Sequence, residues 1–339
     1  MAHGIDEVAR AAGVSTATVS RALRGLPNVS ETTRRRVQEA ALLLGYVASP
    51  SAASLASGRT RTIGLLTPWV TRWFFSNVIE GAERALRTQG FDALLYTFEV
   101  SRYAPRRRVD PDVLRRRVDG ILVVGLPLHA VEVDALHALG HPMIFIGTGV
   151  DGRVTVRLDD LGTGREATEH LLGLGHRRIG HVTGSPDDVS PLSPPVARRE
   201  GWAAAMAAAG VDPDPALEVH GHFDVQGGRE SAHALLTRCP DVTAVFAASD
   251  EMAMGVMLAA RDLGLRVPQD VSVIGVDGHE LGELVGLTTM RQPALEQGAA
   301  AASLLLGMIA GGPPPASVVY PTTLVERGST GRPRTVATA

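Results

Sequence analysis

From Thr62 to Ala310, short apolar runs alternate with amphipathic stretches, and this alternation narrows the fold more than any other feature of the sequence. Ile63 to Leu66, Asp92 to Thr97, Gly120 to Val124, Met143 to Ile146, Arg153 to Leu158, Ile179 to Thr183, Ala244 to Ala247 and Ser272 to Val276 read as strands. Helical spacing appears between most of them, at Asn77 to Thr88, Gly164 to Leu172, Arg198 to Ala209, Gln226 to Thr237, Asp250 to Leu263 and Leu295 to Ala310. A strand followed by a helix and another strand pairs in parallel, with helices on both faces of the sheet. So many strands predict two such sheets. Ligands of these folds bind outside the carboxyl ends of strands, so a cleft between two lobes is the expected site.

The N-terminal region has a different pattern. Val8 and Ala12 share one helical face, and Val19 and Leu23 repeat the spacing in a second segment. Gly13 stands where a first helix must stop, and Ser15 is a suitable N-cap for the next. A third helix is capped by Ser30, carries the stripe Val37, Ala40, Ala41 and Leu44, and ends at Gly45. Two short helices around a tight turn, the second bearing small polar side chains and Arg21, form a helix-turn-helix suited to the DNA major groove. A plain three-helix bundle is the other reading of this segment.

Charge supports the DNA reading. Residues 1 to 61 hold eight arginines against four acids, in a chain whose net charge is −3. A basic N-terminal piece on an acidic body allows phosphate contact without making the whole molecule adhesive. All 33 basic residues are arginine, which reads as codon bias toward a GC-rich genome. No run approaches the ~18 uninterrupted apolar residues of a membrane span. The N-terminus lacks the basic start and apolar core of a signal peptide, so a cytoplasmic protein with no membrane association is expected. Cys239 is the sole cysteine and reads as a small buried apolar residue, leaving no internal disulfide and no thiolate metal cluster. Residues 47 to 60 are mostly small and polar, as in a flexible linker. Pro50 and Gly58 are also placed to start and stop a short helix.

Two other function classes fit parts of the sequence. Gly162-Thr163-Gly164-Arg165-Glu166-Ala167 fits the dinucleotide fingerprint of an enzyme, although it lies late in the chain rather than in a first strand-helix unit. No G-x-S-x-G or H-E-x-x-H is present, and the pair His220 and His222 has no clear further ligand. No cofactor and no metal are implied. A plain solute-binding protein would be exported and would not carry the N-terminal bundle.

Taken in order, the motifs resemble the LacI/GalR family of bacterial transcriptional repressors. The matches are Asp6 to Arg21, Pro27 to Arg34, Leu43 to Tyr46, Arg61 to Leu65, Arg117 to Ile121, His170-Leu171 with Gly175 to Ile179, Arg198 with Gly201-Trp202, Ser249 to Gly255, and Ser272 to Asp277. The resemblance implies an α/β protein: an all-α helix-turn-helix domain at 1–46, a hinge at 47–61 and a periplasmic-binding-protein-like core at 62–339. That core would have two doubly wound parallel-sheet lobes, lobe one at about 62–160 and 293–320, lobe two at about 161–292 with the C-terminal segment. Three crossovers would join them, near Asp160, near Gln292-Pro293 and within 318–325. It also implies a homodimer on two-fold symmetric operator DNA, without a tetramerising coiled coil, since residues 328–339 lack leucine heptads.

By the same resemblance, Ser15, Thr16, Ala17, Thr18, Arg21, Arg24 and Asn28 would contact DNA. Arg21 would pair with guanine or clamp a phosphate, and Thr16 and Ala17 could meet thymine methyls. Leu55 would wedge into the minor groove; its alternative is a linker leucine packed on the core. An effector would meet Arg198, Asp277, Ser249 and Phe223, with Trp69, Trp73, Phe74 and Phe75 from the loop after the first core strand. Those aromatics are core residues or the faces that stack on a sugar or a base. An arginine with a carboxylate suits a neutral polyol, making a sugar the first expectation and a purine or other molecule the second. The sequence departs from the family at Arg24, at Ala48-Ser49, Pro50 and Ala53 in the hinge, and at Trp69 and Arg72, where relatives often have Asp and Asn.

Overall fold

The computed structural model describes residues 4–23, 27–46, 59–98, 106–186 and 190–334. Two compact units are formed, Met1–Thr62 with Arg115–Asp119, and Ile63–Leu114 with Gly120–Ala339. In the first, α1 (Ile5–Ala12), α2 (Thr16–Leu23) and α3 (Glu31–Leu43) enclose Val8, Ala9, Ala12, Val19, Ala22, Val37, Ala40 and Ala41. Local chemistry sets the helix ends. Gly13 takes φ 60 after α1, the Ser15 hydroxyl accepts from Thr18 N at 3.2 Å, and Ser30 caps α3 through Thr33 N at 3.2 Å.

The second unit contains two six-stranded sheets. The first is built from β1 (Thr62–Thr67), β2 (Asp92–Thr97), β3 (Gly120–Val124), β4 (Met143–Ile146), β5 (Thr155–Leu158) and β11 (Val318–Tyr320), in the order β11-β5-β4-β3-β1-β2. The second uses β6 (Ile179–Thr183), β7 (Glu218–His220), β8 (Ala244–Ala247), β9 (Ser272–Asp277), β10 (Thr288–Arg291) and β12 (Thr323–Val325), in the order β12-β10-β9-β8-β6-β7. β3 pairs in parallel with β1 and β4, β5 with β4 and β11, β6 with β7 and β8, and β9 with β8 and β10, while β10 and β12 are antiparallel. The chain changes sheet after β5, after β10 and between β11 and β12. In both sheets the strand order reverses beside the first strand, between β1 and β3 and between β6 and β8, and the loops leaving those strands define the ligand crevice of such folds.

Helices pack on these sheets in closely crossing pairs. They are α4 (Trp73–Thr88) with α11 (Ala294–Ile309), α6 (Asp160–Gly173) with α7 (Pro194–Ala208), and α8 (Val225–Arg238) with α9 (Asp250–Asp262). A Cβ on Gly81 or Gly298 would lie 2.0 Å from a carbonyl oxygen of the partner helix, and one on Gly164 or Gly201 2.2 Å from such an oxygen. Gly228 and Gly255 do the same for the third pair, at 2.5 Å and 2.3 Å.

Several elements depart from what the apolar period predicts. α4 begins at Trp73 rather than Asn77, which puts Trp73, Phe74 and Phe75 in its first turn. α6 starts at Asp160 and α7 at Pro194, where proline suits a first helical position. The Gly162-x-Gly164 spacing is thereby inside a helix, not in a phosphate-cradling turn. Asp159 already fills the anion position there, accepting from Gly162 N at 3.0 Å. The period does not disclose α5 (Ala130–His137), α10 (Glu280–Leu284), β7 or β10. β10 is threonine-rich, and its burial is conferred by neighbouring strands.

A buried ion pair anchors the loop before β3. Glu132 accepts from Arg106 NH1 at 3.0 Å and NH2 at 2.5 Å, and from Val109 N and His129 N at 2.8 and 3.0 Å. Burial alone would raise the Glu132 carboxyl, but Arg106 and the two amides hold it below its ordinary range. Its stabilisation is therefore present above the unfolded carboxylate range and is lost as pH falls through the lowered folded value. Glu132→Gln should cost about 3 kcal/mol at pH 7, because Arg106 is left buried without its counter-charge. Urea unfolding as a function of pH should show the gap from wild type closing in acid.

Candidate functional site

Most of the described helix-turn-helix candidates are exposed. Ser15, Thr16, Ala17, Arg21 and Asn28 are exposed and Thr18 is half-buried, while Val19 and Ala22 on the opposite side of α2 are in the bundle core. Asn28 takes φ 69, a conformation that asparagine tolerates and that turns the chain toward α3. Arg34 NH1 donates to Ala22 O at 3.0 Å, tying α3 to the end of α2. Arg24, and residues 47–58 with Leu55, expected to form the hinge, lie outside the described residues.

In the second unit the loop after β1 and the first turn of α4 face the second lobe. Trp69 and Phe75 meet edge to face at 5.3 Å, as do Phe74 and Phe75. Phe75 lies over Gly125 beyond β3, and Phe74 over Gly147 beyond β4, where a Cβ would be 2.7 and 2.9 Å from the rings. These two rings are largely packing residues. Trp69 and Trp73 are oriented differently. The Arg72 guanidinium carbon is 3.7 Å from the Trp69 ring centroid, and Trp73 stacks on His279 of the second lobe at 5.9 Å.

The lobes are joined by further polar contacts. Arg72 NH1 donates to His222 O and Phe223 O, both at 3.1 Å, and NH2 lies 3.7 Å from Asp224 Oδ2. Trp73 N donates to Glu251 Oε1 at 3.1 Å, and Trp73 Nε1 to Glu280 Oε2 at 2.6 Å. His222 and Phe223 sit at φ 53 and 57, so Arg72 grips a turn held in a rarely populated conformation. Neither the residue pattern nor the family motifs single out Arg72, Glu251, His279 and Glu280 as residues that meet between the lobes. The departure at Arg72 from the family pattern is the one signal in the sequence that points to them.

Arg198 and Asp277 take different hydrogen-bond partners. Arg198 donates from Nε to Asp160 Oδ1 at 2.9 Å, holds the same oxygen from NH2 at 2.9 Å, and donates from NH1 to Ala248 O. Asp277 accepts from Gln292 Nε2 at 2.5 Å and from Asp250 N at 3.4 Å. Asp160 follows β5 and Gln292 follows β10, so each residue is attached to an interlobe crossover. Thr163 Oγ1 and Thr322 Oγ1, 3.1 Å apart, link the first crossover to the third. Ser249 is committed to capping α9, accepting from Met252 N at 3.2 Å, and Phe223 packs over Gly184 at the end of β6. Burial and the neighbouring Asp250 carboxylate push the Asp277 carboxyl well above its usual range, against Arg198 and Gln292. Its backbone sits at φ 142, costing of order 1–3 kcal/mol.

Comparison with known proteins decides the family. A model of bacterial regulatory proteins of the lacI family matches residues 4–49, and a periplasmic binding protein-like domain matches residues 168–330. The HTH-type transcriptional regulator CelR of Thermobifida fusca is 33% identical over 311 residues, covering 88% of this chain and 90% of that protein. The chain belongs to the lacI family. Among solved lacI-type structures, a transcriptional regulator CelR–cellobiose complex superposes with TM-score 0.71 at 32% identity, covering 96% of this chain and 99% of that one. A lac repressor dimer bound to operator and the anti-inducer ONPF gives TM-score 0.84 at 26% identity, covering 98% and 100%. Like these lacI-family regulators, the chain joins a helical N-terminal region to two parallel-sheet lobes.

The state of the cleft can be measured at two of its residues. Asp277 has a folded pKa above its unfolded one, so its contribution to stability falls as pH rises from the ordinary carboxylate range through the raised value. Asp277→Asn should therefore match or exceed wild type in stability at pH 7 to 8, seen as an equal or higher urea midpoint, with a flatter pH dependence. Arg72→Ala should loosen the interlobe contact. Amide exchange at residues 222–224 should accelerate roughly tenfold, since a hydrogen bond to a charged donor contributes about 1.5 kcal/mol or more.

Proposed function

We propose that the protein is a cytoplasmic, homodimeric repressor whose affinity for operator DNA is set by an uncharged, hydroxyl-rich effector bound between the two lobes. The exposed α2 face and the cleft whose walls meet at the reversal points of both sheets together support this reading. The CelR–cellobiose complex and the operator-bound lac repressor dimer support a sugar and a dimer in turn. The cleft also presents more carboxylates (Asp224, Glu251, Asp277 and Glu280) than cations, which favours a ligand that donates hydrogen bonds over a phosphate. A purine is the second reading, favoured by the Trp73–His279 stack as a platform for a planar ring. No catalytic step is assigned.

Regulation follows from the crossover contacts. An effector that takes hydrogen bonds from Arg198 and gives them to Asp277 competes with Asp160 and Gln292, the residues where the chain passes between lobes. It also has to share the cleft with Arg72, which bridges the lobes in the structure. Any preference of the ligand for one lobe angle becomes a coupling free energy, and operator DNA must change effector affinity by the same factor.

Binding to a pseudo-palindromic duplex should weaken steeply with salt. Arg21→Ala should cost roughly 1–3 kcal/mol and relax preference at one base per half-site. A uniform loss over all sequences would make Arg21 a phosphate clamp. A thermal-shift screen of cellobiose, ribose, a sugar phosphate and a purine, repeated on Asp277→Ala, tests the effector class. Stabilisation should come from a neutral sugar and vanish in the variant; stabilisation by the purine alone would select the second reading.

A further inference from the structure

The helix-turn-helix accounts for only part of the positive charge in the first unit. Arg115–Asp119, a loop from the middle of the core sequence, clusters with Met1–Thr62. With it the unit holds eleven arginines against five acids, a charge of +6 in a chain whose total is −3. The loop is stitched in place by Asp119, whose Oδ1 accepts from Thr60 N at 2.7 Å and Thr60 Oγ1 at 2.9 Å, and whose Oδ2 accepts from Arg61 N at 2.8 Å. The one carboxylate of the loop is thus consumed by backbone amides and a hydroxyl. Arg115, Arg116 and Arg117 are exposed beside it, as are Arg59 and Arg61. Val118, between them and Asp119, is buried and anchors the loop.

We infer that Arg115, Arg116 and Arg117, with Arg59 and Arg61, form a second DNA contact that grips operator phosphates without reading sequence. This rests on the operator-binding function proposed above and adds a surface of the core to it. Position favours DNA as the occupant. Arg59 stands where the chain arrives from the helix-turn-helix, 13 residues after Tyr46, so at most about 45 Å of extended chain separates it from Tyr46. Duplex DNA offers one phosphate charge per ~1.7 Å of axis, so flanking phosphates continue on either side of the bases that α2 reads. Arginine forks match phosphate oxygens bidentately, and here three of them follow one another without an intervening acid.

The test is the salt dependence of binding by the full-length protein, measured by fluorescence anisotropy on an operator duplex and on an unrelated duplex. Removing one arginine–phosphate pairing should reduce the log–log slope by about 0.9. The triple variant R115Q/R116Q/R117Q should therefore lower the slope of the dimer by about two or more on both duplexes, with operator-over-unrelated preference retained. The triple lysine variant, which keeps the charge, should keep most of the slope. Arg117→Gln alone provides a milder variant if the triple melts early by circular dichroism, and should lower the slope by about one or more. A slope equal to wild type in the glutamine variants overturns the inference while leaving operator binding intact. A wild-type protein that binds no duplex overturns both it and the function on which it rests.

Discussion

Three helix crossings, each closed by a glycine from either partner, fix how closely the layers of this fold can stack. At Gly81 with Gly298, Gly164 with Gly201, and Gly228 with Gly255, a side chain on either helix would run into the backbone of the other. Each crossing brings together helices that flank the sheets, so their depth sets where the strands and the loops beyond them lie. The start of α4 carries Trp73, Phe74 and Phe75, and the start of α7 leads to Arg198. Both helices reach the cleft from a glycine crossing. A methyl group at any of these six positions would displace a whole helix end, because backbone cannot yield as a flexible side chain can.

The cleft combines strain, buried charge and polar contacts that a ligand could exchange for its own. Asp277 has an unfavourable backbone conformation and a carboxyl disfavoured by its surroundings, and it is bonded to a crossover residue. Arg198 is nearly buried and bonded to another crossover. Such residues lower stability in return for a site already shaped for a partner, and they cluster where two conformations must remain close in energy. Arg72 adds a cation from the first lobe holding two carbonyls of the second.

Charge is distributed by unit rather than along the chain. The acidic body resists adsorption to nucleic acid, while the unit with the helix-turn-helix gathers the arginines, including three contributed from the core sequence. This grouping is invisible in a linear charge plot, since Arg115 to Arg117 lie far along the sequence from the helices whose charge they extend.

Much of the architecture is legible in the residues. The period of the apolar pattern separates helices from strands, and Gly13, Ser15 and Ser30 mark helix ends through chemistry that acts within a few residues. The family motifs carry the two-lobe core and the set of candidate residues. Tertiary structure decides what those residues touch. Arg198 and Asp277 pair with Asp160 and Gln292, and the Gly162-x-Gly164 spacing serves a cap and a helix crossing rather than a phosphate. β10 leaves no mark in the sequence because its burial comes from strands distant along the chain, and Glu251 and Glu280 leave none because their partner Trp73 lies across the cleft. Periodicity and capping are set by neighbours along the chain, so the sequence displays them directly. Ion pairs and close backbone contacts between distant segments depend on positions that exist only once the sheets have formed.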